Sequence, residues 1–334
     1  MQRTKRLLIT LVLLLVVGAA VLFAIAPRET VNLSADFEPR KFGEGVQVYF
    51  EATESAFDDI VKGTEKRVIW RDGFKERRTP LSILYVHGFS ATSEEIRPVP
   101  DKLAEALDAN LVYTRLAGHG RSGAAMGTAT AQDWMQDMAE GLAAARAVGE
   151  RVIVLSTSTG GTLAAAAALD PKMSAHVAAM IFVSPNFGIN NSGARLLTLP
   201  GAEWWVPLIV GKTRSFEAEN DAQARFWTAS YPTRALLPMA ALVKTVVNLP
   251  LEQVAIPAFF WLSAQDQVVR ADIAQTVAAR WGGPATIELV EITASSAGFD
   301  SSAHVIAGDI MSPAGTQPAV DAMLAWLGNQ QLDR

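Results

Sequence analysis

The sequence predicts an α/β fold in which a mostly parallel central sheet is flanked by helices. From about Leu81 onward, short runs rich in Val, Ile, Leu and Phe alternate with longer segments of helical pattern. The short runs are continuously apolar, as expected for strands that are buried on both faces. Regular alternation of such strands with helices is typical of parallel strands joined by crossover helices.

The chain begins with a basic and then strongly apolar segment. Three basic residues precede a run without charge from Leu7 to Ala26, which as a helix would span the roughly 30 Å core of a bilayer. We expect residues 1–27 to be a signal anchor and transmembrane helix. The basic cluster then leaves the remaining chain on the exported side, facing the periplasm or the cell exterior if the protein is bacterial. The alternative is secretion after cleavage at Ala24-Ile25-Ala26, although Pro27 disfavours that cleavage.

Composition excludes several classes of protein. The 334 residues include no cysteine, so disulfides and Cys-ligated metals are excluded, and we expect no cofactor and no metal. Hydrophobic residues make up 50% and charged residues 19%, which excludes a disordered chain. The net charge of −5 argues against a nucleic-acid partner. The oligomeric state stays open.

Residues 28–186 are predicted to form the first part of the α/β core. A polar lead-in with a strand-like piece, "RVIWRDG", precedes the regular pattern. The predicted strands are "LSILYVHG", "NLVYTRLAGHG", "RVIVLSTS" and "VAAMIFVSPN". The helices between them are "SEEIRPVPDKLAEALDA", "AQDWMQDMAEGLAAARAVG" with a capping box from Thr130 to Asp133, and the small-residue helix from Gly161.

The strand–helix rhythm stops at about Phe187 and returns at about Val254. Residues 187–253 are therefore predicted to be a helical cap, inserted before the strand that ends at Asp266. Its aromatic residues fit an apolar chain of a bound ligand or the packing of the cap itself, and both interpretations stay open. Residues 254–334 are predicted to complete the core with "AIPAFFWLSAQD", "RADIAQTVAARW", "ATIELVEITA" and "QPAVDAMLAWLGNQ".

A candidate nucleophile lies where an apolar strand turns sharply into a helix. Ser158 follows the run Val152–Leu155, and two glycines follow it, as a strained strand–turn–helix elbow requires. Ser156 stands where the G-x-S-x-G pattern has glycine, and we expect the turn to tolerate it. Ser156 is also the rival nucleophile, but it lies inside the predicted strand.

A nucleophilic serine needs a base and a carboxylate that orients the base. Among the four histidines, His304 follows the last predicted strand, whereas His87 and His119 follow the first two. Asp266 ends the first strand after the cap and is the predicted acid. The alternatives are that Asp266 only caps the next helix, or that another acid, Asp300 or Asp309, takes its place. The predicted oxyanion donors are the backbone N–H groups of Phe89 and Thr159.

The motifs "YVHGFSAT", "RLAGHGRSG", "STSTGG", "SAQDQVV" and "SAHV" occur in the order of an α/β-hydrolase. From about Leu81 to Leu327 the chain resembles the monoacylglycerol lipase-like and serine aminopeptidase-like esterases. That resemblance implies an α/β-hydrolase fold and an acyl-enzyme formed on Ser158 with His304 and Asp266. The chain departs from the family pattern at Ser156.

The sequence thus predicts a membrane-anchored serine hydrolase of carboxylic esters, with lipid-like or medium-chain acyl esters as substrates. A thioesterase, amidase or peptidase would use the same triad. A dehalogenase or epoxide hydrolase of this fold would have a carboxylate at position 158. A binding protein on a hydrolase scaffold is the non-enzymatic alternative, which three intact triad residues disfavour.

Overall fold

The structure is a computed structural model that describes residues 2–71, 76–293, 296–330 and 332. In the first helix, the side chains of residues 2, 4, 15, 16, 19, 20 and 22 also lie outside the described set. The ends of the chain and two short segments of the predicted core, 72–75 and 294–295, thus fall outside the description.

A seven-stranded sheet forms the centre of the described chain. Its strand order is β1-β3-β2-β4-β5-β8-β9, and every neighbouring pair is parallel except β1 with β3. The predicted α/β fold with a mostly parallel sheet is therefore confirmed. The strands are β1 (Arg67–Ile69), β2 (Thr79–Val86), β3 (Asn110–Tyr113), β4 (Gly149–Thr157), β5 (Val177–Val183), β8 (Ala258–Leu262) and β9 (Ala285–Leu289).

Continuous burial explains the apolar strands. Residues in β2 and β4 point alternately to opposite faces, so Leu84 and Val154 join one hydrophobic cluster and Ile83 and Ile153 join the other. Helices cover both faces, which removes the polar face that a half-exposed strand would carry. The edge strand β9 is exposed along its whole length.

The helices of the core lie before, between and after these strands in the chain. They are α2 (Val46–Glu54), α3 (Val99–Ala106), α4 (Gly123–Met126), α5 (Ala131–Val148), α6 (Thr159–Ala168), α10 (Ala271–Arg280) and α11 (Pro313–Gly328). The predicted capping box at the start of α5 is present, since Thr130 accepts the N–H of Asp133 and Asp133 accepts that of Thr130.

Two predicted helix boundaries are wrong, and proline accounts for both. The helix expected from Ser93 begins only at Val99, because Pro98 lacks an N–H and disfavours helical backbone in the residue before it. The last helix begins four residues earlier than expected, with Pro313 in its first turn, where the missing N–H costs nothing. The predicted lead-in also contains the helix α2, which the sequence pattern did not indicate.

The segment predicted to be the cap consists mainly of short helices. These are α7 (Ala202–Val210), α8 (Asp221–Phe226), α9 (Leu236–Val246) and several 3₁₀ turns. Two short strands that were not predicted, β6 (Thr213–Ser215) and β7 (Ser230–Pro232), pair antiparallel within it. Three-residue strands carry too few residues to show a period of two, so the sequence pattern could not reveal them. The domain boundaries at residues 27, 187 and 254 stay predictions.

The N-terminal apolar run forms the helix α1 (Gln2–Ile25). Among the residues that the structure describes, no helix meets the length and apolarity required to cross a membrane.

Candidate active site

Ser158 lies in a strained turn between β4 and α6. Its backbone has φ 51° and ψ −118°, in the left-handed half of the φ range that residues with a side chain rarely adopt. The end of β5 and the loop after it hold this turn on both sides: Ser158 donates its N–H to the carbonyl of Val183 at 3.0 Å, and its own carbonyl accepts the N–H of Asn186 at 2.9 Å. Such strain at a candidate nucleophile is typical of functional sites.

Close packing explains the small residues after Ser158. A Cβ atom added to Gly160 would overlap the backbone carbonyl oxygen of Val86, so α6 approaches the end of β2 at this residue. A Cβ on Gly161 would lie 2.8 Å from the side chain of Pro185. The two glycines therefore allow the helix to start directly behind the serine.

The two hydroxyl residues before Ser158 point elsewhere. Ser156 is fully buried in β4 and donates its hydroxyl to the carbonyl of Ile181 in β5, at 3.1 Å. The Oγ1 atom of Thr157 lies 3.1 Å from the hydroxyl of Tyr85. Ser156 thus occupies the position of the usual glycine, and its hydroxyl is bonded within the sheet.

His304 lies against Ser158, and Asp266 lies on the far side of the imidazole. The Nε2 atom of His304 is 3.1 Å from Ser158 Oγ, and Nδ1 is 2.8 Å from Asp266 Oδ2. Because Nδ1 donates to the carboxylate, Nε2 is the free acceptor for the serine proton. All three residues are buried, with 5 to 8% of each exposed.

Asp266 is anchored by backbone groups and does not cap a helix. Its Oδ1 accepts the N–H groups of Val268 and Val269, both at 2.8 Å. The following helix α10 has no side-chain cap at its N terminus. The carboxylate therefore orients the imidazole with one oxygen while the other oxygen fixes its own position.

The carboxylates around His304 determine its basicity. Burial on its own would lower the pKa of His304, but the Asp266 carboxylate, with Glu95 and Asp300 contributing less, raises that pKa above its ordinary value. A more basic imidazole stabilises the imidazolium that forms when a serine loses its proton.

The other candidate acids have different contacts. Asp300 Oδ2 accepts the backbone N–H groups of His304 at 3.0 Å and of Val305 at 2.8 Å, so it shapes the loop without contacting the imidazole. Asp309 accepts the hydroxyl of Thr316. The role of Asp300 was missed in the sequence, where only its position four residues before a histidine could have indicated it.

The turn after β2 places Gly88, the residue before Phe89, against the nucleophile. A Cβ on Gly88 would lie 3.0 Å from Ser158 Cβ, so the two turns touch at this glycine. His87 Nε2 accepts the N–H of Leu116 at 3.1 Å, which leaves Nδ1 to donate to the Gly88 carbonyl at 2.8 Å. Burial lowers the pKa of His87 well below its ordinary value, which keeps this neutral tautomer. The sequence pattern did not indicate the contact between His87 and the Gly88 carbonyl.

Thr159, the other residue predicted to supply an oxyanion N–H, is the first residue of α6 and is buried. Its amide belongs to the first turn of a helix, where N–H groups lack partners within the helix and favour negative charge. The two predicted oxyanion donors thus belong to two different turns: Thr159 directly follows Ser158, and Phe89 follows Gly88, which approaches Ser158.

Aromatic residues of the cap pack against the core around this site. The ring of Phe89 packs edge-to-face against Tyr231 of the cap and His119 of the core, with ring centroids 5.4 and 5.6 Å apart. Trp227 is buried in a core cluster, and Phe216 and Phe226 pack against that cluster. These aromatic side chains therefore join the cap to the core, whereas Trp204 is 54% exposed.

No group of three or more His, Cys, Asp or Glu side chains is placed to hold a metal ion in the part of the chain that the structure describes. The functional groups at the site are instead a serine, an imidazole and a carboxylate in one hydrogen-bonded row. A strained serine at a strand-to-helix turn of a parallel sheet, followed in the chain by an aspartate and a histidine, defines the α/β-hydrolase class of serine hydrolases.

Comparison with known proteins agrees with that class. The family model for the serine aminopeptidase S33 family matches residues 79–291, which is more than half of the chain. The chain therefore belongs to this family of α/β-hydrolases, and the resemblance to monoacylglycerol lipase-like esterases is confirmed.

One curated relative is the thermostable monoacylglycerol lipase of Bacillus sp. strain H-257. It is 32% identical over 90 residues, which cover 27% of this chain and 36% of the lipase. The match thus spans little more than a third of the length of that relative.

Solved structures share the fold at low sequence identity. A structure from work on LipS and LipT, two metagenome-derived lipolytic enzymes, has a TM-score of 0.61 at 17% identity, covering 81% of this chain and all of that one. A soluble variant of monoglyceride lipase from Saccharomyces cerevisiae, in complex with a substrate analogue, has a TM-score of 0.56 at 12% identity and covers 79% and 90% of the two chains.

Proposed function

We propose that the protein hydrolyses carboxylic esters through an acyl-enzyme intermediate on Ser158. The observation that carries this proposal is the row of contacts from Ser158 Oγ to His304 Nε2 at 3.1 Å and from His304 Nδ1 to Asp266 Oδ2 at 2.8 Å. The proposed roles are nucleophile for Ser158, general base for His304 and orienting acid for Asp266.

The reaction begins with attack of Ser158 Oγ on the ester carbonyl carbon, as the serine proton moves to His304 Nε2. The N–H groups of Phe89 and Thr159 stabilise the resulting oxyanion. His304 then protonates the departing alkoxide, which leaves as an alcohol. A water molecule, deprotonated by His304, attacks the acyl carbon, and the carboxylic acid leaves as Ser158 regains its proton.

A fluorophosphonate probe tests this mechanism directly. We expect the wild type to become labelled and Ser158→Ala to lose labelling, because the probe reacts only with an activated serine. Ser156→Ala is the matched control and keeps labelling, since the hydroxyl of Ser156 is bonded to Ile181 in the sheet. An unlabelled wild type, or labelling that persists in Ser158→Ala, contradicts the proposal.

The proposed substrates are lipid-like or medium-chain acyl esters. Support comes from the relatives, which include a monoacylglycerol lipase and a monoglyceride lipase bound to a substrate analogue. Because Trp227 and Tyr231 are buried in core clusters, the aromatic content of the cap gives this proposal less support than the sequence suggested. Rates on p-nitrophenyl esters of increasing chain length test it, and a preference for acetate over octanoate contradicts it.

A peptidase with the same triad is the second candidate, because the family is named for a serine aminopeptidase. The two activities separate on matched substrates. An ester hydrolase cleaves p-nitrophenyl butyrate far faster than an aminoacyl p-nitroanilide, whereas an aminopeptidase shows measurable turnover of the anilide.

We also propose that the protein is held at a membrane by residues 1–27, with the catalytic core on the exported side. The basic residues before Leu7 and the uncharged run to Ala26 support this location. The helix α7 begins next to the end of this segment, since Gly201 donates its N–H to the carbonyl of Pro27 at 2.7 Å. Two apolar side chains of α7, Leu208 and Ile209, are 80% and 69% exposed. A lipid surface next to α1 would cover these side chains.

A further inference from the structure

Glu95 is a buried carboxyl group beside the site that the proposed reaction leaves without a role. Only 2% of its surface is exposed. Its Oε2 accepts the N–H of Gly88 at 2.7 Å and the hydroxyl of Tyr85 at 3.2 Å. Burying a carboxyl group is costly unless specific contacts compensate, so these bonds define what Glu95 does in the fold.

The contact with Gly88 bears on the direction of the Phe89 amide. The carbonyl of Gly88 and the N–H of Phe89 belong to one planar peptide unit. His87 holds that carbonyl through Nδ1, and Glu95 holds the N–H of the same glycine. With Gly88 fixed at both its polar groups, the Phe89 N–H has one orientation available to it.

The same carboxyl group is connected to the nucleophile turn. Tyr85, which donates to Glu95, also lies 3.1 Å from Thr157 Oγ1, in the residue before Ser158. A Cβ on Gly88 would lie 2.7 Å from Glu95 Oε1 and 3.0 Å from Ser158 Cβ, so carboxyl and nucleophile flank the same point. Glu95 thus links the two turns that carry Phe89 and Thr159.

We propose that Glu95 is a positioning residue that holds the Phe89 amide toward the oxyanion and places a carboxyl group beside the triad. The inference rests on the proposed serine hydrolase function. Glu95 acts through Gly88 and through its charge, without contact with the substrate.

The charge of Glu95 changes near neutral pH. Burial raises its pKa to about 7, against the lowering effect of the Gly88 N–H, His304 and Tyr85. Tyr85 from β2 and His304 from the loop before α11 are the titratable groups that face Glu95. Asp266, Glu95 and Asp300 are the charged groups that face His304. An ionised Glu95 favours the imidazolium, so removing its charge lowers the pKa of His304.

Two substitutions separate positioning from charge. Glu95→Gln keeps an amide oxygen for the Gly88 N–H but has no charge. We expect it to move the acidic limb of the pH profile of kcat/KM to lower pH by about half a unit. Glu95→Leu removes the acceptor as well, and we expect kcat to fall about 10- to 100-fold with little change in KM, as for a misdirected oxyanion donor.

Glu94→Gln is the matched control, since the neighbouring Glu94 binds Arg67 and Arg97 and does not contact Gly88. The measurements are hydrolysis of p-nitrophenyl butyrate and the rate of fluorophosphonate labelling between pH 5 and 9. An acidic limb in Glu95→Gln that coincides with the wild type, or an unchanged kcat in Glu95→Leu, overturns the inference.

If Glu95→Leu does not fold, as judged by circular dichroism, the pH profile of Glu95→Gln decides the question. A wild type that neither labels nor hydrolyses esters overturns the proposed function, and this inference with it. An active wild type whose Glu95 variants behave like the control overturns only the role of Glu95.

Discussion

Two carboxylates contact different parts of His304. The Asp266 carboxylate accepts a hydrogen bond from Nδ1 of the imidazole, and the Asp300 carboxylate accepts one from the backbone N–H of the same residue. The first contact selects the tautomer that can accept a proton from Ser158, whereas the second fixes the loop. The distinction predicts different kinetic effects for the same chemical change at the two residues.

We expect Asp266→Asn to lower kcat by about 10³- to 10⁴-fold, because an amide can leave the imidazole in the wrong tautomer. Asp300→Asn keeps one oxygen for backbone donors, so a loss of about 10-fold is expected from imprecise placement of the imidazole. Asp309→Asn, whose side chain binds Thr316, is the control. Steady-state kinetics on a p-nitrophenyl ester measure all three, and equal losses at Asp266 and Asp300 would refute the division.

Ser156 stands where the G-x-S-x-G pattern has glycine, and its hydroxyl bond to Ile181 gives a second prediction. Ser156→Ala removes that bond and is expected to lower the free energy of unfolding by about 1 kcal/mol. Ser156→Gly also raises the conformational entropy of the unfolded backbone at this position, which adds about 0.5–1 kcal/mol to the loss. Urea unfolding measures both, and a Gly variant more stable than wild type would show that the serine strains the turn.

At the scale of elements, α6 lies so close to β2 that only glycine fits between them. Gly160→Ala would force α6 away from the carbonyl of Val86 and displace the Thr159 amide. We expect a loss of about 1–3 kcal/mol in stability, typical of overpacking, together with slower fluorophosphonate labelling. Gly328→Ala is the matched control, since nothing lies within 4 Å of its added Cβ. Similar unfolding curves for the two variants would contradict the close approach.

A buried ion cluster joins the lead-in to α5. Lys66 Nζ lies 2.8 Å from Asp137 and 2.5 Å from Glu140. Lys66→Met leaves two buried carboxylates without their cation, so we expect unfolding to become easier by about 3–5 kcal/mol. Lys172→Met, which breaks the exposed pair with Asp36, should cost less than about 1 kcal/mol. Chemical denaturation compares them, and equal effects would argue that the Lys66 cluster is solvated.

At the scale of the whole molecule, the location of the chain is the open prediction. We expect the full chain to remain in the membrane pellet after alkaline carbonate extraction, and its mature mass to include residues 1–27. Leu13→Asp combined with Leu14→Asp places two charges in the apolar run, each costing about 2.5–3.5 kcal/mol in a bilayer, and should release the protein. A mature mass that corresponds to a chain beginning after Ala26 would instead indicate cleavage and secretion.

Much of the fold could be predicted because its signals are local. Continuous apolar runs identified β2, β4, β5 and β8, and a capping box identified the start of α5. The weak points were elements with few residues or unusual ends. The short strands β6 and β7 are too short to show the alternation of apolar and polar residues that marks a strand. Near prolines, α3 begins later and α11 begins earlier in the chain than the sequence predicted.

For the candidate site too, some features could be predicted from local sequence signals and others could not. By itself, the sequence determined the sheet, the chain order Ser158, Asp266 and His304, and the small residues that the turn requires. Only the tertiary structure decided that Ser156 bonds to β5, that Asp300 binds backbone amides, and that Glu95 reaches Gly88. These contacts depend on which strands are neighbours and on the direction of each side chain. Spacing along the chain cannot encode them, because hydrogen bonds act over about 3 Å in space.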